Sequence, residues 1–274
     1  MKLKASKVEY SKAMLPRTRK VQFLDCFKMN YALLLKCGLL LFLFALPLIS
    51  FCLFMDFYYV SILEHATEAI EQTKLVFSFI FNIGVLLLLS LVVVALSGIL
   101  HILRNFIWQE GIFFHIDFWA GVKENAGKNL LFYLICAILY LVSFFIYRVF
   151  RVSIISLTPL LMFALIVFPI FLWILFINNT YKSSFGSLLR NGTFFYVKSI
   201  GWSLLTSVVC LLPAVLLFMP FYLLWVKYII AVLLFIFVLP IVLLTLTLYS
   251  TSKFDEFINK ENYPDHYLKG LNHD

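Results

Sequence analysis

Charge is what this chain has least of. Only 13% of its 274 residues are charged and 63% are hydrophobic, against about 25% and roughly 45–50% in a soluble domain. That balance excludes a water-soluble globule, so the solvent for most of the surface is lipid. Cysteine is also sparse. None of Cys26, Cys37, Cys52, Cys136 and Cys210 forms a CxxC pair, which excludes a disulfide framework and a zinc site and leaves small buried hydrophobes. No GxxxxGK[ST] loop occurs, so any ATP-driven step belongs to another protein. No Ser or Cys nucleophile has a fitting partner, and no chain of carboxylates crosses the apolar runs. The expectation is therefore no enzyme, no metal and no cofactor. Residues 1–28 are too long and polar for a signal-peptide n-region, and the first apolar run reads as an anchor that stays.

What the chain has in abundance is hydrocarbon. Several apolar runs exceed the ~18–20 residues that cross a bilayer core of about 30 Å. Six spans are expected, at 31–55, 75–102, 130–148, 153–176, 199–220 and 225–250, arranged as three hairpins in an all-α integral membrane protein. A basic segment, 1–30, precedes the transmembrane domain, 31–250, and a tail, 251–274, follows it. The breaks at 149–152 and 221–224 read as tight turns. Six prolines, Pro47, Pro159, Pro169, Pro213, Pro220 and Pro240, are expected to kink the spans.

Lys and Arg set the orientation. With both termini inside, segments 1–30, 103–129, 177–198 and 251–274 hold 17 of the 22 basic residues, so both ends are expected in the cytoplasm. Arg148 and Arg151, at an outer turn, fit least well. The net charge of +8 points to anionic lipid heads and not to nucleic acid, because the aromatics lie in the spans and not beside the basic clusters. The outer loop 56–74 places Ile62, Ala66, Ala69 and Ile70 on one helical face, which extends the flanking spans as helix.

The polar stretch "RNFIWQEGIFFHIDFWAGVKENAGKN", residues 104–129, separates two apolar runs. Phe114, Phe118 and Val122 recur at i, i+4 and i+8, with Trp119 and Ala126 flanking them. This predicts a helix over 112–128 lying in the inner interface, with Trp119 at headgroup depth. Segment 181–195 repeats the pattern with Tyr181, Phe185, Leu188, Leu189 and Phe195, and a shorter copy uses Val21, Leu24 and Phe27. Asn30, Asn125 and Asn191 each follow a basic residue shortly before a hydrophobic hairpin, which suggests three related units. His115 and Asp117 are two residues apart, so on a helix they do not face each other. Arg104, Glu110 and Asp117 are expected to form a buried structural network, with Lys123 and Asn125 beside it as a docking surface. Among polar residues inside spans, Lys36 is expected to snorkel to the headgroups, and Asn82 and His101 to bond neighbouring helices.

The order Arg104, Glu110-Gly111, Asp117-Phe118, Gly121, Lys123, Asn125 resembles the signature of the YesL-like family of small bacterial integral membrane proteins. The "LPLIS" at 46–50 and the tail "FDEFINKENYPDHYLKGL" are similar to parts of that family, while Trp119 and Val122 stand where its stretch has other aromatics. The resemblance covers most of the chain. It implies a bacterial plasma-membrane location and a non-enzymatic accessory role, linked to carbohydrate uptake or its sensing, beside a membrane transporter or sensor partner. The alternative is a permease or channel subunit for a small solute, with Pro-kinked helices lining the path.

Overall fold

The computed structural model describes residues 15–65, 70–150, 154–218 and 224–272, with the side chains of 27–29, 60–65, 70–71, 212–218 and 224 left aside. Among the described residues there is no strand. The helices are α1 (Arg19–Met29), α2 (Tyr31–His65), α3 (Ile70–Ile107), α4 (Phe114–Val149), α5 (Ile154–Met162), α6 (Phe168–Thr180), α7 (Phe185–Lys198), α8 (Ile200–Phe218), α9 (Leu224–Leu233), α10 (Leu239–Phe254) and α11 (Lys260–Asn262). Five continuous stretches are long and apolar enough to cross a membrane, or six if the bent pair α7–α8 counts as one. This is a multi-pass helical membrane protein.

The helices outrun the expected spans. The acidic loop after span one is helical where described: α2 reaches His65 and α3 begins at Ile70. The expected turns fall mostly on residues 151–153 and 219–223, outside the described residues, as do Arg151 and Pro220. Prolines act in two ways. Pro47 sits inside α2 and Pro159 inside α5. Pro169 and Pro240 each follow a five-residue π-helical turn, Phe163–Val167 and Leu234–Val238. A π turn widens the helix just where proline removes a donor and pushes on the preceding turn.

The helix expected over 112–128 begins at Phe114 and does not form a separate element. With no breaker between 114 and 149, it runs unbroken into the third span as α4, 36 residues long. Its stripe turns inward: Phe118 is buried, and Phe114 and Val122 pack on the core, while Trp119 stays half exposed. Gly98 and Gly121 bring α3 and α4 together. A Cβ at Gly98 would overlap the Phe118 ring, and one at Gly121 would overlap His101. Small residues at such crossings let membrane helices gain dispersion contacts, because lipid supplies no hydrophobic drive between them. The segment 185–198 does form a separate helix, set at 104° to α8. It buries Leu188, Gly192 and Phe195, and Phe185 stacks on Phe132 with ring centroids 4.1 Å apart. In α1, Gln22 and Cys26 face the bundle, and Val21 and Leu24 face outward.

The two ends of the chain meet. The Asn272 N–H donates to the Pro16 carbonyl at 3.1 Å. Between them, α1, the foot of α10 and the folded-back tail close over the end of α3.

Candidate functional site

The largest group of polar side chains inside the spans lies at the end of the bundle that carries the termini. Asn125 and Asn129, one helical turn apart on α4, face Asn178 and Asn179 at the foot of α6. The Asn178 amide donates to Asn129 Oδ1 at 2.8 Å and to the Asn125 carbonyl at 3.2 Å. Asn125 donates to Asn179 Oδ1 at 3.0 Å. Asn129 donates to Ser97 Oγ on α3 at 2.8 Å. All five side chains are buried. The result is a seam of amides joining α3, α4 and α6, with Asn178 donating twice and the others both giving and taking. Burial of amides in hydrocarbon is costly unless every donor finds an acceptor.

Arg104 closes the seam. Its Nη1 donates to the Asn179 carbonyl at 2.7 Å, and its Nη2 to Asn105 Oδ1 at 2.9 Å and His101 Nε2 at 3.3 Å. A guanidinium only donates, so His101 accepts at Nε2 and holds its proton on Nδ1. That Nδ1 is buried and has no partner among the described residues. The guanidinium also lies 4.9 Å from the Trp108 ring centroid.

The expected Arg104–Glu110–Asp117 network is replaced by separate contacts. Glu110 pairs with Lys269 at 2.6 Å. Asp117 takes the Phe113 N–H at 2.7 Å and caps the start of α4. The cause is geometric: α3 ends at Ile107, and Gln109, at φ 55°, turns the chain away. Lys123 is exposed, and Lys36 is exposed on α2. Asn82 pins α3 to α4 by accepting from Tyr140 at 2.7 Å.

A second network forms the foot of the bundle. The buried Asp255 accepts from Arg19 at 3.0 Å, from Asn259 at 2.7 Å and from the Leu268 N–H at 3.2 Å. Gln22 donates to the Ile107 carbonyl at 2.6 Å, satisfying the open end of α3, and Tyr181 donates to Asn259 at 2.6 Å. Burial lowers the basicity of Arg19, against the raising effect of Asp255's hydrogen bond and charge. Burial, joined by the charge of Asp255, pushes the Tyr181 hydroxyl up. Burial alone pushes the Cys26 thiol up to about 11. The tail is held over α3 by the Trp108–His266 ring contact at 5.0 Å and by Gly270, whose φ of +82° sets it against the Ile107 carbonyl where a Cβ would not fit.

At the opposite end, Lys227 on α9 pairs with Asp56 on α2 at 2.7 Å, and Tyr228 donates to the same oxygen at 2.7 Å. The Lys227 side chain is 2% exposed, so the pair fixes α2 to α9 from inside.

Of the residues singled out from sequence, Arg104, His101 and Asn125 belong to one site. Asn105, Asn129, Asn178, Asn179 and Ser97 complete it. The missed signals were the pair "NN" at the foot of an apolar run and the i, i+4 spacing of Asn125 and Asn129. No known family, curated protein or solved structure matches the chain.

Proposed function

We propose that this chain is a non-enzymatic accessory protein of the bacterial plasma membrane, a YesL-like protein serving carbohydrate uptake or its sensing beside a transporter or sensor partner. The observation that carries the non-enzymatic role is the hydrogen-bonded seam. Seven polar residues from three helices spend their hydrogen bonds on one another and on helix carbonyls, so the polar chemistry inside the spans holds helices together. The carbohydrate link comes from the family resemblance.

The proposed topology has six crossings with both termini in the cytoplasm. Parity supports it. Residues 16 and 272 are hydrogen-bonded, so the spans between them are even in number, and the α7–α8 pair supplies the sixth. α8 alone, with 19 residues, spans about 28 Å at 1.5 Å per residue. The inner bias of Lys and Arg supports the orientation. In this reading α7 and α1 lie in the inner interface. Exposed charged pairs at that end, Lys253–Glu256 and Glu110–Lys269, offer the docking surface. Reporter fusions at Glu68 and at the C-terminus test the topology, and an outside C-terminus overturns it.

Gentle-detergent purification tests the role: a reproducible co-purifying membrane partner is expected, with no solute flux from the lone chain in liposomes. A second reading, a permease or channel subunit, is favoured by one feature, the paired π turns before Pro169 and Pro240, since broken helices line transport paths in other folds. Saturable flux through the purified chain, abolished by changing Asn82 or His101, replaces the first reading with the second.

A further inference from the structure

We infer that the elbow between α7 and α8 holds an anionic phospholipid. This rests on the interfacial placement of α7 and is independent of the accessory role. α7 meets α8 at 104°, so with α8 crossing the bilayer, α7 lies near the membrane plane. Its outward side exposes Leu189, Phe194 and Val197, at 48%, 43% and 64%, beside exposed Arg190 and Lys198. Apolar side chains interleaved with cations suit the boundary between acyl chains and negative headgroups.

Charge selects the lipid class. From residue 125 to residue 254 the sequence has eight Lys and Arg and no Asp or Glu. Of the described bases there, Lys227 has Asp56 and Lys253 has Glu256 as carboxylate partners. Lys182, Arg190 and Lys198 form no ion pair with a described carboxylate. The acids beside the rings packed on α7 already have partners: Asp255, next to Phe254, is held by Arg19 at 3.0 Å, and Glu256, next to Phe257, by Lys253 at 2.7 Å. A lipid phosphate is therefore the missing counter-charge.

A third observation marks where the lipid seats. Trp202, four residues beyond Lys198, has a buried indole N–H with no partner among the described residues. Its ring lies 4.7 Å from Tyr249 and borders a cavity of about 20 Å³ also lined by Trp173, Phe176, Thr206 and Ser250. An indole at the interface places its ring in the apolar layer and its N–H at the polar one. The lipid's phosphate lies against Lys198 and Arg190, and its glycerol-ester carbonyl takes the Trp202 N–H.

The test uses the full chain, delipidated in neutral detergent, reloaded from mixed micelles of phosphatidylglycerol and phosphatidylcholine, and read by native mass spectrometry. Selective retention of phosphatidylglycerol is expected. Arg190→Gln and Lys198→Gln should each lower that preference about fivefold, the factor implied by roughly 1 kcal/mol per basic residue at an anionic surface. Trp202→Phe should lower retention without changing the preference. Equal retention of the two lipids, or variants that retain phosphatidylglycerol like the parent chain, overturns the inference. A nitroxide at Val197 keeps the two failures apart: a lipid-exposed signal leaves the placement of α7 standing when selectivity fails.

Discussion

The spans Ile154–Thr180 and Leu224–Phe254 share one local plan and complete it differently. "VFPI" at 167–170 and "VLPI" at 238–241 place Pro169 and Pro240 71 residues apart, each behind a π turn. Just before each proline the backbone bonds five residues back, Phe168 to Phe163 and Leu239 to Leu234, so each bend carries loosened carbonyls. In the first span Tyr196 on α7 donates its hydroxyl to the Leu165 carbonyl in that turn at 3.0 Å. In the second, α2 presses Gly38 so close to the Ile236 carbonyl that a Cβ would overlap the oxygen. The feet differ too. Asn178 and Asn179 reach across to α3 and α4, whereas Thr247, Ser250 and Thr251, in the matching turns of α10, bond back onto their own helix. Below them Asp255 holds Arg19. At one bend a side-chain hydroxyl bonds a carbonyl, at the other the backbone of α2 packs against one, and an ion pair holds only the second foot. The same sequence motif therefore does not dictate the same mechanical role.

The comparison breaks most sharply at the ion pair. Arg19→Met leaves Asp255 buried without its cation and should cost about 3–5 kcal/mol, seen as a large loss of folded yield and of thermal stability in detergent. Stability equal to the parent chain would mean the foot of α10 is held by other contacts. Gly38→Ala should come next, at about 1–3 kcal/mol, because the overlapped atoms are backbone and cannot rotate away. Unchanged unfolding would remove the close approach as the way the second bend is closed. Asn178→Leu should cost about 1–2 kcal/mol, while Ser250→Ala, whose hydroxyl serves only its own helix, should stay within about 0.5 kcal/mol. Equal effects from the two would erase the contrast between cross-helix and self-satisfied feet.

Tyr196→Phe should cost only about 0.6 kcal/mol, the average for a hydrogen bond between membrane helices. In a Pro169→Ala background the π turn can return to α register, so the same change should cost less. A double-mutant cycle without coupling would separate the hydroxyl from the proline. The smallest effect concerns α1, which packs beneath α10. Cys26, held at a thiol pKa of about 11, should alkylate far more slowly at pH 8 than an exposed thiol. A pKa raised on folding stabilises the folded chain below about pH 9 and ceases to do so as pH passes about 11. Cys26 reacting at pH 8 as fast as it does in denaturant would contradict its burial.

The long apolar helices were readable because hydropathy and length are local properties of the sequence. Pro169 and Pro240 were visible as kink sites, though the π turns were not, since these depend on what packs beside them. The site was half readable. Arg104 announced itself as a cation in an apolar context, and nearby Glu110 and Asp117 looked like its partners. The true acceptor is the Asn179 carbonyl, 75 residues away, which no local pattern encodes. Asp56 was assigned to a loop because its partner, Lys227, lies 171 residues on. The helix over 114–128 was found, but its union with the third span was not. A charged stretch and an apolar one look like two elements in sequence, while a continuous backbone joins them.

The bond between Arg19 and Asp255 also orders the making of the protein. Its partners are 236 residues apart, so α1, once made, waits for the foot of α10. Every span enters the membrane before the clasp can close, and loop closure over that separation is slow compared with local helix formation. A chain released early, short of residue 255, keeps Arg19 without its carboxylate and Gln22 without the tail that covers α3. The clasp therefore makes the seating of α1 depend on the synthesis of residue 255, far along the chain.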